Sequence, residues 1–180
     1  MCDLSRLTPI PLPIETKRLR VRAFVPDLDA AAMVGVYGDP EVMRLIPGGA
    51  LPSLDSVRAE LEKHAQAQIR RGFSYWAVVV RTTGAVIGDV GFGIFEPTGD
   101  IELGYTLART YWGHGYATEA ASACLAAGRA HLSVPRIVAV ADAQNGASMR
   151  VARRIGLRRI ENVTVHGRQH VMFGTPSSGR

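Results

Sequence analysis

The sequence predicts an α/β protein, a mixed sheet covered by helices on both faces. Three observations carry that reading. Strand signals from Leu19 to Leu107 include runs joined by a short turn, as antiparallel strands are, whereas from Thr118 onward helix and strand signals alternate. The run Thr118–His131 is almost wholly small and apolar, so a helix there has to be buried on most sides. Ile137–Ala141 is a continuous apolar stretch, as expected of a strand inside a sheet covered on both faces.

Each element follows from local chemistry. Leu19–Phe24 alternates apolar and basic residues with period two, the pattern of a strand. Asp27 is placed to cap a helix over about 28–37, and Pro40 to open a second short turn that ends at Pro47-Gly48-Gly49. Ser53–Arg71 carries a cap, early acids, late arginines and apolar residues at helical spacing, so it is a helix. Tyr75–Val80 and Ala85–Phe95 are β-rich runs flanking Thr82-Thr83-Gly84, a hairpin signature. Asp100–Leu107 is a further strand, followed by the loop Ala108–Ala117 and the apolar helix Thr118–His131, with Pro135 ending the next turn. After the strand Ile137–Ala141, Ala147–Ile155 forms a short helix that Gly156 terminates. Strands over about 158–165 and 168–174 complete the chain.

The 180 residues are 47% hydrophobic and 21% charged, which excludes intrinsic disorder and fits one domain over 1–180. The longest apolar run, Ala30–Tyr37, is far too short to span a bilayer. Asp3, Arg6 and two early prolines leave no apolar core for a signal peptide. Cys2 and Cys124 make no disulfide framework, so a cytoplasmic protein without a membrane partner is expected. Residues 1–13 and 175–180 are expected to be flexible ends. The net charge of +5 is concentrated in residues 145–180, where seven arginines face the single acid Glu161. Such a cluster suits a phosphorylated ligand or nucleic acid, or is a solvated face.

The loop Trp112-Gly113-His114-Gly115-Tyr116-Ala117, with Thr118 opening the next helix, joins a strand to that helix. Glycines let backbone amides approach a ligand, and free amides at a helix N-terminus bind phosphate or pyrophosphate; a structural turn is the other reading. There is no Gly-Lys pair for a Walker loop, and Gly-x-Gly-x-Ala-Thr breaks the dinucleotide pattern. His166 and His170 have spacing that could ligate metal, but no cysteine or carboxylate pair accompanies them, so no metal is expected.

Residues 112–120, Trp-Gly-His-Gly-Tyr-Ala-Thr-Glu-Ala, resemble the acetyl-CoA loop of the GNAT N-acetyltransferases, in the form shown by the branch that acetylates ribosomal-protein N-termini, the RimJ/RimL type. Ile101-Glu102-Leu103-Gly104-Tyr105 looks like that family's fourth strand. Asn145-x-x-Ser148-x-Arg150-Val151 with Gly156-Leu157 is similar to the second half of its cofactor site. Glu15-Thr16-x-Arg18-Leu19-x-Val21-Arg22 and Asp39-Pro40-Glu41-Val42-Met43 look like the branch's opening strand and first helical region, so the resemblance spans residues 15–174. Two departures stand out. Gly-Leu replaces the usual Gly-Phe, and no tyrosine follows Tyr116, so a tyrosine acid near the last helix is not available.

The resemblance implies a splayed, mixed seven-stranded sheet that transfers an acetyl group from acetyl-CoA to a primary amine. Trp112, Gly113, His114, Gly115, Tyr116, Ala117, Thr118, Asn145 and Ser148 would hold the cofactor, with His114 giving mainly backbone. Glu102 would take the amine's proton, directly or through water, unless it is only an ion-pair residue. A backbone amide near Leu107 would hold the oxyanion. Ser148 would assist the departing thiolate, although Asn145 and Ser148 are also natural helix caps. Around the last helix, at 100° per residue, Arg150, Arg153 and Arg154 share one face and Val151, Ala152 and Ile155 the other. Arg150 and Arg153 are therefore expected beside the cofactor, reading a phosphate rather than DNA or RNA. The acceptor is a protein N-terminal amine or a small amine such as a polyamine, amino acid or aminoglycoside. A homodimer and a non-catalytic acyl-CoA-binding or ribosome-binding module are also compatible with the residues.

Overall fold

The computed structural model describes residues 8–175. Strands β1 (Ile14–Glu15), β2 (Leu19–Arg22), β3 (Tyr75–Val80), β4 (Val86–Phe95), β5 (Asp100–Leu107), β6 (Ile137–Asp142), β7 (Arg158–Val165) and β8 (Arg168–Gly174) form one sheet. Their order is β1-β2-β3-β4-β5-β6-β8-β7. The helices are α1 (Pro26–Tyr37), α2 (Pro40–Met43), α3 (Leu54–Arg71), α4 (Tyr116–His131) and α5 (Gly146–Arg154). The sheet has eight strands where seven are expected. The added one, β1, pairs Ile14 with Val21 and Glu15 with Arg20, and two residues are too few to show a period.

Helix ends follow their chemistry, with two shifts. In α3 the Ser53 and Ser56 side chains cap each other's backbone, and Gly72 ends the helix in the left-handed conformation. Asp27 does not cap α1: Pro26 starts the helix, and the Asp29 carboxylate accepts from the Val25 amide and from Arg22 instead. Helix α4 begins at Tyr116, two residues before Thr118, because Gly115 turns the chain with φ +78°.

Period two divides the core. On β3, Trp76, Val78 and Val80 face a core that includes Ala120, Ala121 and Cys124 of α4 and Ala152 of α5. Ala77 and Val79 face a second core with Met33 and Val36 of α1 and Val57 and Leu61 of α3. The N-terminal segment belongs to the first core. Ile10 is 2% exposed and its N–H donates to the Gly72 carbonyl at 2.9 Å. Burying such a side chain contributes about 1.5–3 kcal/mol. At the other end the Thr175 N–H donates to Ile137 O. Of the ends expected to be flexible, 1–13 and 175–180, Ile10 and Thr175 are held by these contacts, and residues 1–7 and 176–180 lie outside the described ones.

All strand pairs are antiparallel except β5–β6. β4 and β5 pair along eight positions, but β5 and β6 pair only at Ile101–Ile137 and Glu102–Val138. Beyond Glu102 the two strands part, and the rest of β5 faces an opening. No helix of the described residues is long and apolar enough to cross a membrane.

Candidate active site

A cleft of about 980 Å³ opens where β5 and β6 separate. It runs from the N-termini of α4 and α5 toward the loop 44–49, His64 of α3 and the turn after β7. Glu102 stands where the ladder stops. Burial pushes Glu102 up to about 7, and the neighbouring Val140 amide, which has no ladder partner on β5, offsets only part of that shift.

On the same sheet face lie the groups that line the other half of the cleft. Asp89 is 2% exposed, and burial raises its pKa to about 7 against hydrogen bonds from Tyr37 and Thr106. The Tyr37 hydroxyl is 3.4 Å from His64 Nε2, and burial lowers the His64 pKa. The Tyr75 ring lies between Asp89 and Glu102 in sequence register, over Gly93 and Gly104. A Cβ on Gly104 would come within 2.8 Å of the Tyr75 hydroxyl, so the bare backbone gives that ring its room. Burial first, then the charges of Glu102 and Asp89, raise the Tyr75 pKa. Asp89, Tyr37, His64 and Tyr75 were not singled out from the sequence. Asp89 and Tyr75 share a period-two face with Glu102, the one signal available, whereas Tyr37 and His64 come from helices α1 and α3 and carried none.

The loop expected to bind the cofactor borders the cleft with Trp112, Gly113, Gly115, Tyr116, Ala117 and Thr118. The Trp112 indole N–H donates to the Leu107 carbonyl at 2.7 Å and ties the loop to the end of β5. The next residue, Ala108, gives its N–H to Ile87 of β4. Strand alternation therefore turns the Leu107 N–H the other way, toward the splay. Helix α4 has no side-chain cap, which leaves its first amides to the cleft. His114 is exposed and outside the cleft lining; its carbonyl accepts from Arg18 and its Nδ1 lies 2.8 Å from Trp112 O.

Helix α5 forms the opposite wall. Asn145 Oδ1 accepts from the Ser148 amide at 3.0 Å, so Asn145 caps the helix while bordering the cleft. The Tyr105 hydroxyl donates to the Ser148 carbonyl at 3.0 Å and lies 3.1 Å from Ser148 Oγ. Burial pushes Tyr105 up to about 12. A tyrosine does reach the last helix, from β5 rather than from downstream sequence, and its period-two place beside Leu103 and Leu107 was the available signal. Arg150 and Arg154 line the cleft. Arg153 does not: its guanidinium lies 5.5 Å from the Phe173 ring centroid. His166 and His170 border the far end, and no third potential ligand joins them among the described residues.

Two helix N-termini, uncommitted amides, exposed arginines and a half-buried carboxylate around one groove suit an anionic cofactor and an amine acceptor. An open sheet with one parallel pair, splayed beyond it, is the architecture that the resemblance of the sequence implied. The sequence profile of the acetyltransferase (GNAT) domain matches residues 18–158, and the chain belongs to that family. It is 32% identical over 146 residues to the uncharacterized N-acetyltransferase YnaD of Bacillus subtilis, covering 81% of this chain and 82% of that one. The crystal structure of a GNAT-family acetyltransferase from Bacillus anthracis superposes with a TM-score of 0.78 at 25% identity, covering 91% of this chain and 97% of that one. RimL, a ribosomal L7/L12 alpha-N-protein acetyltransferase solved with coenzyme A, shares the fold with a TM-score of 0.76 at 17% identity, covering 91% and 97%.

Proposed function

We propose that the chain moves the acetyl group of acetyl-CoA to the N-terminal amine of a protein or peptide. The observation that carries this reading is the placement of Glu102 at the point where β5 and β6 part, between the amide-lined wall and the open half of the cleft. The diphosphate would lie on the free amides of 113–118, with Arg150 beside the phosphates. The neutral amine attacks the thioester carbon, and Glu102 takes the proton it sheds. The carbonyl oxygen becomes an oxyanion at the Leu107 N–H as the C–N bond forms. The C–S bond then breaks, and the Ser148 hydroxyl, held by Tyr105, hydrogen-bonds the leaving sulfur. Most amines are protonated at neutral pH, so a carboxylate with a pKa near 7 is a base matched to the task.

The N-terminal acceptor is supported by the open far end of the cleft and by the likeness to RimL in fold. Small amines are the second reading, favoured by the carboxylates Glu41, Glu60, Glu96 and Asp89 along that end. The test is a screen of peptides and small amines with acetyl-CoA, read by mass spectrometry. We expect one acetyl group on the α-amine of peptides and little on polyamines or amino acids. Transfer confined to small amines would overturn the N-terminal assignment.

A further inference from the structure

Gly113 and Gly115 carry the loop through φ of +79° and +78°. Glycine adopts these angles without strain, but a free glycine loop has many alternatives and ordering it is costly. A Cβ on Gly113 would meet nothing within 4 Å, and no side chain caps α4. Besides Trp112 and the packing of Tyr116 and Ala117 on the core, the loop is held by a distant segment, the turn between β1 and β2.

Arg18 grips the loop on both sides. Its Nη1 donates to the His114 carbonyl at 2.9 Å, and its guanidinium lies 4.4 Å from the Tyr116 ring centroid. Its Nε donates to Glu119 Oε2 at 2.6 Å, in the first turn of α4. Glu119 Oε1 accepts from the Arg18 backbone N–H at 2.8 Å and from the Thr16 hydroxyl at 2.7 Å. One carboxylate thus fastens the turn to the helix start. Burial pushes the Glu119 carboxyl up, but the bonds from Thr16 and Arg18 outweigh it and hold the group below its ordinary range. Neither Arg18 nor Glu119 lines the cleft.

We propose that Arg18 and Glu119 are positioning residues that set the 113–118 loop for coenzyme A before it binds. The proposal rests on the acetyl-CoA reading above. Preorganisation raises affinity by lowering the cost of ordering the loop on binding. A charge effect makes the opposite forecast for one of two variants. Arg18→Ala leaves an added negative charge by the loop, and Glu119→Gln leaves an added positive one. If the pair acted through its field, these changes would shift affinity for an anionic cofactor in opposite directions.

The experiment is calorimetric titration of coenzyme A into wild type, Arg18→Ala and Glu119→Gln, each shown folded by circular dichroism. We expect both variants to bind about tenfold more weakly, the scale of one charge-assisted hydrogen bond. Affinity within twofold of wild type in either variant, or tighter binding by Glu119→Gln, would overturn the proposal while leaving the cofactor reading intact. Wild-type protein that does not bind coenzyme A overturns the cofactor reading itself. If a variant does not fold, NMR order parameters of Gly113 and Gly115 in ligand-free wild type decide: about 0.85 is expected, and values below about 0.6 overturn the proposal.

Discussion

A carboxyl group with a pKa near 7 is half ionised at neutral pH, and Glu102 owes that value to burial. A base works only when unprotonated, so kcat/KM should rise with pH through an apparent pKa near 7. Glu102→Gln should lower turnover at neutral pH by about 10²–10⁴-fold and leave coenzyme A affinity unchanged. Steady-state rates over pH 6–9 check this. Turnover within a few-fold of wild type across that range would make Glu102 a structural residue. Burial also pushes Asp89 up to about 7, with Tyr75 between the two carboxyls in register. Glu102 was legible in the sequence because it lies in the matched strand, two residues ahead of the glycine at 104. Its place beside the Val140 amide was not, since that arises only because β6 leaves β5 after two pairs.

At the scale of elements, helix α5 shows how far periodicity reaches. The basic and apolar faces follow from 100° per residue, but which arginine meets the cleft depends on what lies beside the helix. Phe173 of β8 occupies Arg153, so Arg150 is the arginine left for the cofactor among the two expected. Wild type should therefore bind coenzyme A more tightly than dephospho-coenzyme A. Arg150→Ala should lose that preference and Arg153→Ala should keep it. The difference is roughly tenfold at most, because the Arg150 side chain is exposed and screened. Titration of both ligands into the three proteins measures it, and equal affinities in wild type would contradict the assignment. The long helices and the later strands were legible from caps and periods. β1 was too short to show one, and the α1 and α4 starts moved because Asp29 and Gly115 set them. The contacts Tyr105–Ser148 and Arg18–Glu119 join residues 43 and 101 positions apart, a distance no local pattern reports.

Across the whole molecule, the arginine excess of the last fifth does not form one patch. Arg168 pairs with Asp142 at 2.8 Å, Arg159 bonds Asn162, and Arg153 covers Phe173. Among the described residues of that group, only Arg150 and Arg154 reach the cleft. The site is instead assembled by the sheet. β4 and β5 stay paired, β6 turns away with its helices, and α4 and α5 bring their N-termini to the gap. Glycine spacing and the run at 112–120 made the wall proposed for the cofactor legible in the sequence. The opposite half, built from α1, α3 and β4 side chains, carries no motif and emerges only from packing.

The central claim is that this gap holds acetyl-CoA, and thermal unfolding with and without the ligand tests it most directly. A ligand that binds only the folded chain at a hundred times its Kd adds about 2.7 kcal/mol. For a chain of this length that is a rise in melting temperature of about 5–10 °C, which the account predicts. A folded sample whose melting temperature does not move at millimolar acetyl-CoA would contradict it.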